Sequence, residues 1–98
     1  MSLERTVQRK IIKWLEDQGH YVVKTINSNK KGVPDLLVCL DGGRFCAIEV
    51  KRPGGKATQL QLYNLKQIKD LGGIAMVAES VDEVRELFAR NGLMQGDV

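Results

Sequence analysis

The sequence predicts a single α/β domain with the element order αβββαβα and a mixed four-stranded sheet flanked by helices on both faces. Two observations carry this prediction. Apolar residues recur at helical spacing in three segments, and four short runs are β-branched or continuously apolar. Because a helical segment separates the last two runs, they form a crossover, and we expect those two strands to be parallel.

The first helix is predicted to begin after Ser2, a good N-cap residue, and to end at about Gln18, because Gly19 suits the position after a helix. The Asp41-Gly42-Gly43 segment has the composition of a tight turn, so the strands on either side of it should form a hairpin. The four strands are predicted at 21–26, 36–40, 44–51 and 74–78.

Two capping boxes mark the later helices. Thr58-x-x-Gln61 opens the second helix, which runs to Gly72-Gly73, and Ser80-x-x-Glu83 opens the third, which stops at Asn91-Gly92. The predicted apolar stripe of the second helix consists of Leu62, Leu65, Ile68 and Leu71. The unbroken run 74–78 indicates a central, buried strand. We expect one domain over 1–98, with a frayed tail from about 93.

Composition narrows the class of protein. The 98 residues are 43% hydrophobic with a net charge of +3, which indicates a globular domain with one modest core. No apolar run approaches the ~20 residues of a membrane span, and basic residues interrupt the N-terminal segment where a signal peptide would be apolar. Cys39 and Cys46 lie in apolar runs without zinc-ligand spacing, so we expect reduced core thiols in a cytoplasmic protein.

The most informative motif pairs Gly32-Val33-Pro34-Asp35 with Glu49-Val50-Lys51. Because side chains alternate along a strand, Glu49 and Lys51 should share one face, while Val50 points into the core. Charged groups on an otherwise apolar strand are costly and usually mark a site. Two carboxylates beside a lysine would form a hard-cation site next to a group that transfers protons or stabilises charge.

Asp35 can reach Glu49 only if the hairpin departs from its simplest form. A two-residue Gly42-Gly43 loop would pair Asp35 with Val50 and turn its side chain to the opposite face from Glu49. The site hypothesis therefore predicts a three-residue loop, a β-bulge, or strands that diverge at Asp35.

The motifs resemble the P-D…(D/E)-x-K signature of restriction-endonuclease-like nucleases. More narrowly, the chain resembles the virus-type replication-repair nuclease (VRR-NUC) domain through three further features. These are Glu4 on the first helix, Gly54-Gly55 before Thr58-x-x-Gln61, and Gly72-Gly73 before Ser80-Val81-Asp82-Glu83-Val84. The one departure is Gln59, where a proline would be common.

The resemblance implies a metal-dependent phosphodiesterase that acts on DNA, in a phage, viral or bacterial setting and in a process such as DNA repair. It implies that Asp35, Glu49 and the Val50 carbonyl hold Mg²⁺ or Mn²⁺, that Lys51 orients water or stabilises the transition state, and that Glu4 and Gln61 complete the site. Stand-alone relatives suggest cleavage of branched DNA, such as four-way junctions, by a homodimer. Basic residues around the motif are candidate phosphate contacts, with ordinary solubility as the alternative: Lys24, Lys30, Lys31, Arg52 and Lys56.

Several residues have structural alternatives. Glu4 in a first helical turn interacts favourably with the helix dipole, and Gln61 at the third position of a capping box needs no catalytic role. Three functions stay open on the sequence: a stand-alone endonuclease, a non-cleaving DNA-binding module of the same fold, and a nuclease subunit that acts only with a larger partner. The intact Asp35, Glu49 and Lys51 favour a cleaving enzyme.

Overall fold

A computed structural model describes residues 2–94 as three helices and four strands in the predicted order. Ser2 caps the first helix by accepting a hydrogen bond from the Arg5 N–H, and Gly19 follows that helix with a φ of +91°. The elements are α1 (Leu3–Asp17), β1 (Tyr21–Lys24), β2 (Leu36–Cys39), β3 (Phe45–Val50), α2 (Gln59–Asp70), β4 (Ile74–Ala78) and α3 (Val81–Arg90).

The strands form one mixed sheet in the order β1-β2-β3-β4. The β1–β2 and β2–β3 pairs are antiparallel, and β4 is parallel to β3, as the crossover predicted. The prediction that β4 is central was wrong, because it lies at the edge of the sheet. Its continuous apolar run instead reflects cover on both faces, since α2 and α3 both contact it.

Helices cover both faces of the sheet, as predicted. On one face, α1 and α3 pack on the even-numbered residues of β2 and β3, and this main core includes Ile11, Leu15, Ile48 and Phe88. On the opposite face, α2 packs through Leu65 and Ile68 against the odd-numbered Ala47 and against Ala75 of β4. We call the two sides the α1–α3 face and the α2 face.

The structure corrects several boundaries. The first strand ends at Lys24, and the predicted apolar stripe of α2 is only partly buried, because Leu62 and Leu71 are exposed. Leu93 and Met94 pack against the main core, so the predicted frayed tail does not begin at 93. Its last residues, 95–98, lie outside the described part of the chain. Within residues 2–94, no helix is long and apolar enough to cross a membrane.

Candidate metal and phosphodiester site

The β2–β3 hairpin has the three-residue loop that the site hypothesis required. The Leu40 N–H donates to the Arg44 carbonyl at 2.9 Å, and the Gly43 N–H donates back to the Leu40 carbonyl at 2.7 Å, which leaves Asp41-Gly42-Gly43 as the loop. The ladder then pairs Leu36 with Ile48. Extended by one residue, this register sets Asp35 opposite Glu49, so both side chains lie on the α2 face.

At the start of β2, the Asp35 carboxylate extends the hydrogen bonding between β2 and β3 by one bond. Its Oδ2 accepts a hydrogen bond from the Val50 N–H at 2.9 Å, in place of a main-chain carbonyl. Because the N–H and C=O of one strand residue point to the same side of the strand, the Val50 carbonyl is expected on the side of Asp35. A carboxylate and a main-chain carbonyl therefore converge at this end of β3.

Glu49 is an acid in an unfavourable place. Its side chain is only 2% exposed, its Oε2 lies 3.4 Å from the Lys51 Nζ, and its buried Oε1 has no hydrogen-bond partner. Burial and the neighbouring Asp35 carboxyl raise the pKa of Glu49 to about 8, and the Lys51 ammonium only partly offsets this rise. A raised pKa means that the two carboxylates of Asp35 and Glu49 are favourable together only with a proton or a cation between them.

These groups fit a small hard cation. Such a cation takes a few protein oxygens and keeps several waters, and it would supply the charge that the unpartnered Glu49 Oε1 lacks. Asp35, Glu49 and the Val50 carbonyl are the oxygens available to hold it. Among residues 2–94, no three His, Cys, Asp or Glu side chains group closely enough to hold a metal, so a third carboxylate does not join this pair.

Each of the two helical candidates has a structural role in its own helix. Glu4 lies half-buried in the first turn of α1, where the helix dipole favours an acid. Gln61 forms the capping box of α2, with its Oε1 accepting from the Thr58 N–H at 2.8 Å and its own N–H donating to the Thr58 hydroxyl at 3.1 Å. This cap uses one of the two lone pairs of the Gln61 Oε1.

A basic loop before Asp35, residues 26–34, is fixed at both ends. At its start, Thr25 donates its N–H to the Asp35 carbonyl at 2.8 Å and its hydroxyl to the Pro34 carbonyl at 3.0 Å. Near its end, the buried Asn64 of α2 donates its side-chain N–H to the Lys31 carbonyl at 3.2 Å. Gly32 approaches Leu60 so closely that an added Cβ would lie 2.7 Å from a side-chain carbon.

A second basic loop follows Lys51 and is tied to the start of α3. The Lys51 N–H donates to the Ala78 carbonyl at 2.9 Å, and the Glu79 carboxylate accepts a hydrogen bond from the Gly54 N–H. This loop carries Arg52 and Lys56, both exposed. Exposed basic side chains on two anchored loops therefore flank the acidic pair, with Lys30 and Lys31 on the first loop.

Lys24 does not join these loops. It pairs with Leu36, whose side chain lies in the main core, so Lys24 extends from the α1–α3 face and the sheet separates it from the acids.

Sequence reasoning missed the anchoring residues Thr25, Asn64 and Glu79. A polar residue beside the apolar stripe of α2 was the only available signal for Asn64.

The α2 face is open over β1 and β2. We use the name open sheet face for the uncharged side chains there that α2 leaves wholly or partly uncovered: Tyr21, Val23, Leu37, Cys39 and Phe45. The prediction that both cysteines are core thiols was wrong for Cys39, which is exposed. It held for Cys46, where burial raises the pKa of the thiol to about 12.

A mixed sheet of this order, with an acid entering β2 and a Glu-x-Lys where β3 ends, matches the fold of a solved VRR-NUC nuclease domain. The sequence model of the VRR-NUC domain matches residues 2–82. The chain belongs to the VRR-NUC domain family.

Individual relatives agree with this assignment. The chain is 30% identical over 79 residues to a protein of Acyrthosiphon pisum secondary endosymbiont phage 1 named "Putative nuclease p44", a match that covers 81% of this chain and 85% of the phage protein. A solved VRR-NUC domain structure shares 29% identity with a TM-score of 0.80, covering 91% of this chain and 97% of the other. A second solved VRR-NUC domain protein has a TM-score of 0.75 at 23% identity, with 98% and 93% covered, and supports the fold.

Proposed function

We propose that this nuclease is a Mg²⁺- or Mn²⁺-dependent endonuclease that hydrolyses phosphodiester bonds in DNA. The observation that carries the proposal is the buried Glu49, whose carboxylate faces that of Asp35 with one oxygen unpartnered. An acid pair held in this state lowers the stability of the fold, and a bound cation would relieve that cost. A DNA-binding module that does not cleave would have no use for such a pair.

Each residue of the cluster has a distinct task in this chemistry. Asp35, Glu49 and the Val50 carbonyl would hold the cation, which when bound would stabilise negative charge on the phosphate and lower the pKa of nearby water. Lys51 is held beside Glu49 by their ion pair. From there its ammonium can orient the attacking water or stabilise the charge that develops on the phosphate oxygens.

The test is cleavage by the purified chain alone. Labelled continuous duplex, flap and four-way-junction DNA are incubated with Mg²⁺, with Mn²⁺ and with EDTA. We expect internal cleavage that requires the metal. Cleavage that persists in EDTA would reject metal dependence, and a protein that binds these DNAs but cuts none of them with either metal would be a binding module or a subunit awaiting a partner.

The basic loops should bind DNA phosphates. Replacing Lys30 and Lys31 together by alanine should reduce the slope of log binding constant against log salt by about two, because each phosphate contact contributes roughly 0.9 to that slope for duplex DNA. The matched control replaces Lys13 and Lys66, which are exposed helical lysines paired with Asp17 and Asp70. An equal change in both double variants would mean that net charge, and not this loop, governs binding.

We further propose that two copies associate through the open sheet face and cut branched DNA as a homodimer. The support is chemical, because the face carries aromatic and aliphatic side chains without a charge, which suits a second copy of itself better than phosphates. Two-fold symmetry would present two sites to two like strands of a junction.

The oligomeric state tests this face. Tyr21→Lys places a charge on the open sheet face, and we expect it to convert a dimer to a monomer in sedimentation or light-scattering measurements. Tyr63→Lys is the matched control, since Tyr63 on α2 is 57% exposed and Tyr21 is 70% exposed. A wild-type monomer at micromolar concentration, or dissociation by Tyr63→Lys alone, would contradict the proposed interface.

A further inference from the structure

One side chain in the loop before Asp35 is explained neither by the fold nor by the chemistry proposed above. Ile26 is 85% exposed, and it begins a segment in which asparagine, serine and lysine follow. A single exposed aliphatic residue is ordinary on most protein surfaces and needs no special account. Ile26 differs because the residue before it is hydrogen-bonded to the backbone of Pro34 and Asp35.

The residue before Ile26 is hydrogen-bonded to the chain that carries the catalytic acid. Thr25 donates its N–H to the Asp35 carbonyl at 2.8 Å, and its hydroxyl lies 3.0 Å from the Pro34 carbonyl and 3.2 Å from the Asp35 carbonyl. Consecutive Cα atoms are about 3.8 Å apart, so the backbone of Ile26 lies one residue from this anchor. Ile26 cannot move far from Asp35 unless these bonds break.

The far end of the same loop is anchored on α2. Asn64 holds the Lys31 carbonyl, and Gly32 lies against Leu60 with no room for a side chain. Within the loop, the Lys30 N–H donates to the Ser28 hydroxyl at 3.0 Å, which closes a local turn. The loop therefore presents an apolar side chain from a constrained support, with two lysines close by to contact phosphates.

We propose that Ile26 is a wedge that inserts between bases next to the cleaved phosphate and so selects DNA in which a base step is already open. This inference rests on the proposed function and names the feature of the DNA that the site would recognise. Proteins that distort DNA commonly insert an aliphatic side chain between base steps. In continuous duplex the cost of unstacking cancels the gain from burying Ile26, whereas at a branch point the bases are already unstacked and the gain remains.

The test compares two DNAs and two substitutions. Ile26→Thr keeps β-branching but removes apolar surface, and Ile26→Leu keeps the apolar surface. We expect Ile26→Thr to weaken the binding of a four-way junction without metal about tenfold, and to slow its cleavage with Mg²⁺ by a similar factor. Burial of one aliphatic side chain accounts for at least that factor. Continuous duplex should be bound and cut as by wild type, and Ile26→Leu should behave as wild type on both DNAs.

A spectroscopic readout separates insertion from general contact. With 2-aminopurine at the branch point and no metal present, wild-type binding should raise the fluorescence of the base, and Ile26→Thr should not. Leu3→Thr on α1 makes the same kind of change at a residue that is 64% exposed, and it should leave every measurement unaltered. Both variants should keep the wild-type melting temperature, since neither residue is part of the core.

Three results would overturn the wedge. These are an unchanged junction preference in Ile26→Thr, an equal loss on junction and duplex, and a change in oligomeric state, which would assign Ile26 to contact between copies. A wild-type protein that cuts no DNA would count against the proposed function alone, because the metal-free fluorescence measurement still decides whether Ile26 enters the bases.

Discussion

Replacing Asp35 by asparagine should lower Mg²⁺-dependent DNA cleavage by about a thousandfold or more while leaving the fold intact. Asparagine keeps a side-chain oxygen that can accept the Val50 N–H, which Asp35 now accepts at 2.9 Å, but it removes the charge that a cation needs. Single-turnover cleavage at fixed metal concentration measures the loss, and thermal unfolding checks the fold.

Asp35→Ala is the informative contrast to this variant. It removes both the charge and the hydrogen bond to Val50, so it should be inactive and also less stable by about 1–2 kcal/mol. Lys51→Met should lose roughly a hundredfold to a thousandfold in cleavage while metal binding persists, because the ammonium acts on the phosphate and is not a ligand. Full cleavage by Asp35→Asn would mean that Asp35 is not part of the site.

Replacing Glu49 by glutamine should abolish cleavage and yet stabilise the metal-free protein, by an amount that grows as the pH rises from about 4.5 to about 8. The pKa of Glu49 is raised to about 8 by burial and by Asp35, whereas in the unfolded chain it lies near 4.5. Between these values the unfolded chain loses a proton that the folded protein keeps, so rising pH favours unfolding. Below about pH 4.5 both states are protonated, and the penalty is absent.

The expected difference between the two proteins therefore depends on pH. Glu49→Gln and wild type should be nearly equally stable at pH 5, and the variant should exceed wild type by ~1–3 kcal/mol at pH 8.5, measured by urea unfolding in EDTA. Comparing the two proteins cancels other titrations, such as that of His20, whose pKa is lowered by burial. Adding Mg²⁺ should stabilise wild type alone. A constant difference across this range would mean that Glu49 is ionised throughout.

The register of the β2–β3 hairpin shows what the sequence could predict about the site. Loop composition alone left Asp35 on the wrong face, since two glycines suggested a two-residue turn. The apolar pattern of the strands decides the question, because the even-numbered residues of both strands must face the main core together. Registers that pair even-numbered with even-numbered residues achieve this, as the observed pairing of Leu36 with Ile48 does, and they leave Asp35 and Glu49 on the other face.

Other features could not be predicted because they depend on distant parts of the chain. Nothing near β4 in sequence distinguishes a central strand from an edge strand covered on both faces. The capping box at Thr58 was predictable, because the residues that form it lie within one helical turn. The predicted box at Ser80 is only half formed: the Ser80 hydroxyl accepts from the Glu83 N–H, but the Glu83 carboxylate accepts from the Glu79 N–H and not from that of Ser80. The anchor from Asn64 to Lys31 joins residues 33 positions apart, so only the folded chain brings it about.

The hydrogen bond from the Val50 N–H gives the Asp35 carboxylate a structural role that Glu49 lacks, so we expect positions 35 and 49 to evolve differently. Some catalytic residues can be exchanged with a gain in stability, and under the proposed function we expect Glu49 to be such a residue. Exchanging Asp35 should cost stability, because its carboxylate accepts the Val50 N–H in place of a main-chain carbonyl of the sheet. A lineage that no longer needs cleavage should therefore lose the acid at position 49 first. At position 35, selection for folding alone would still retain an aspartate or an asparagine, long after the chemistry had disappeared.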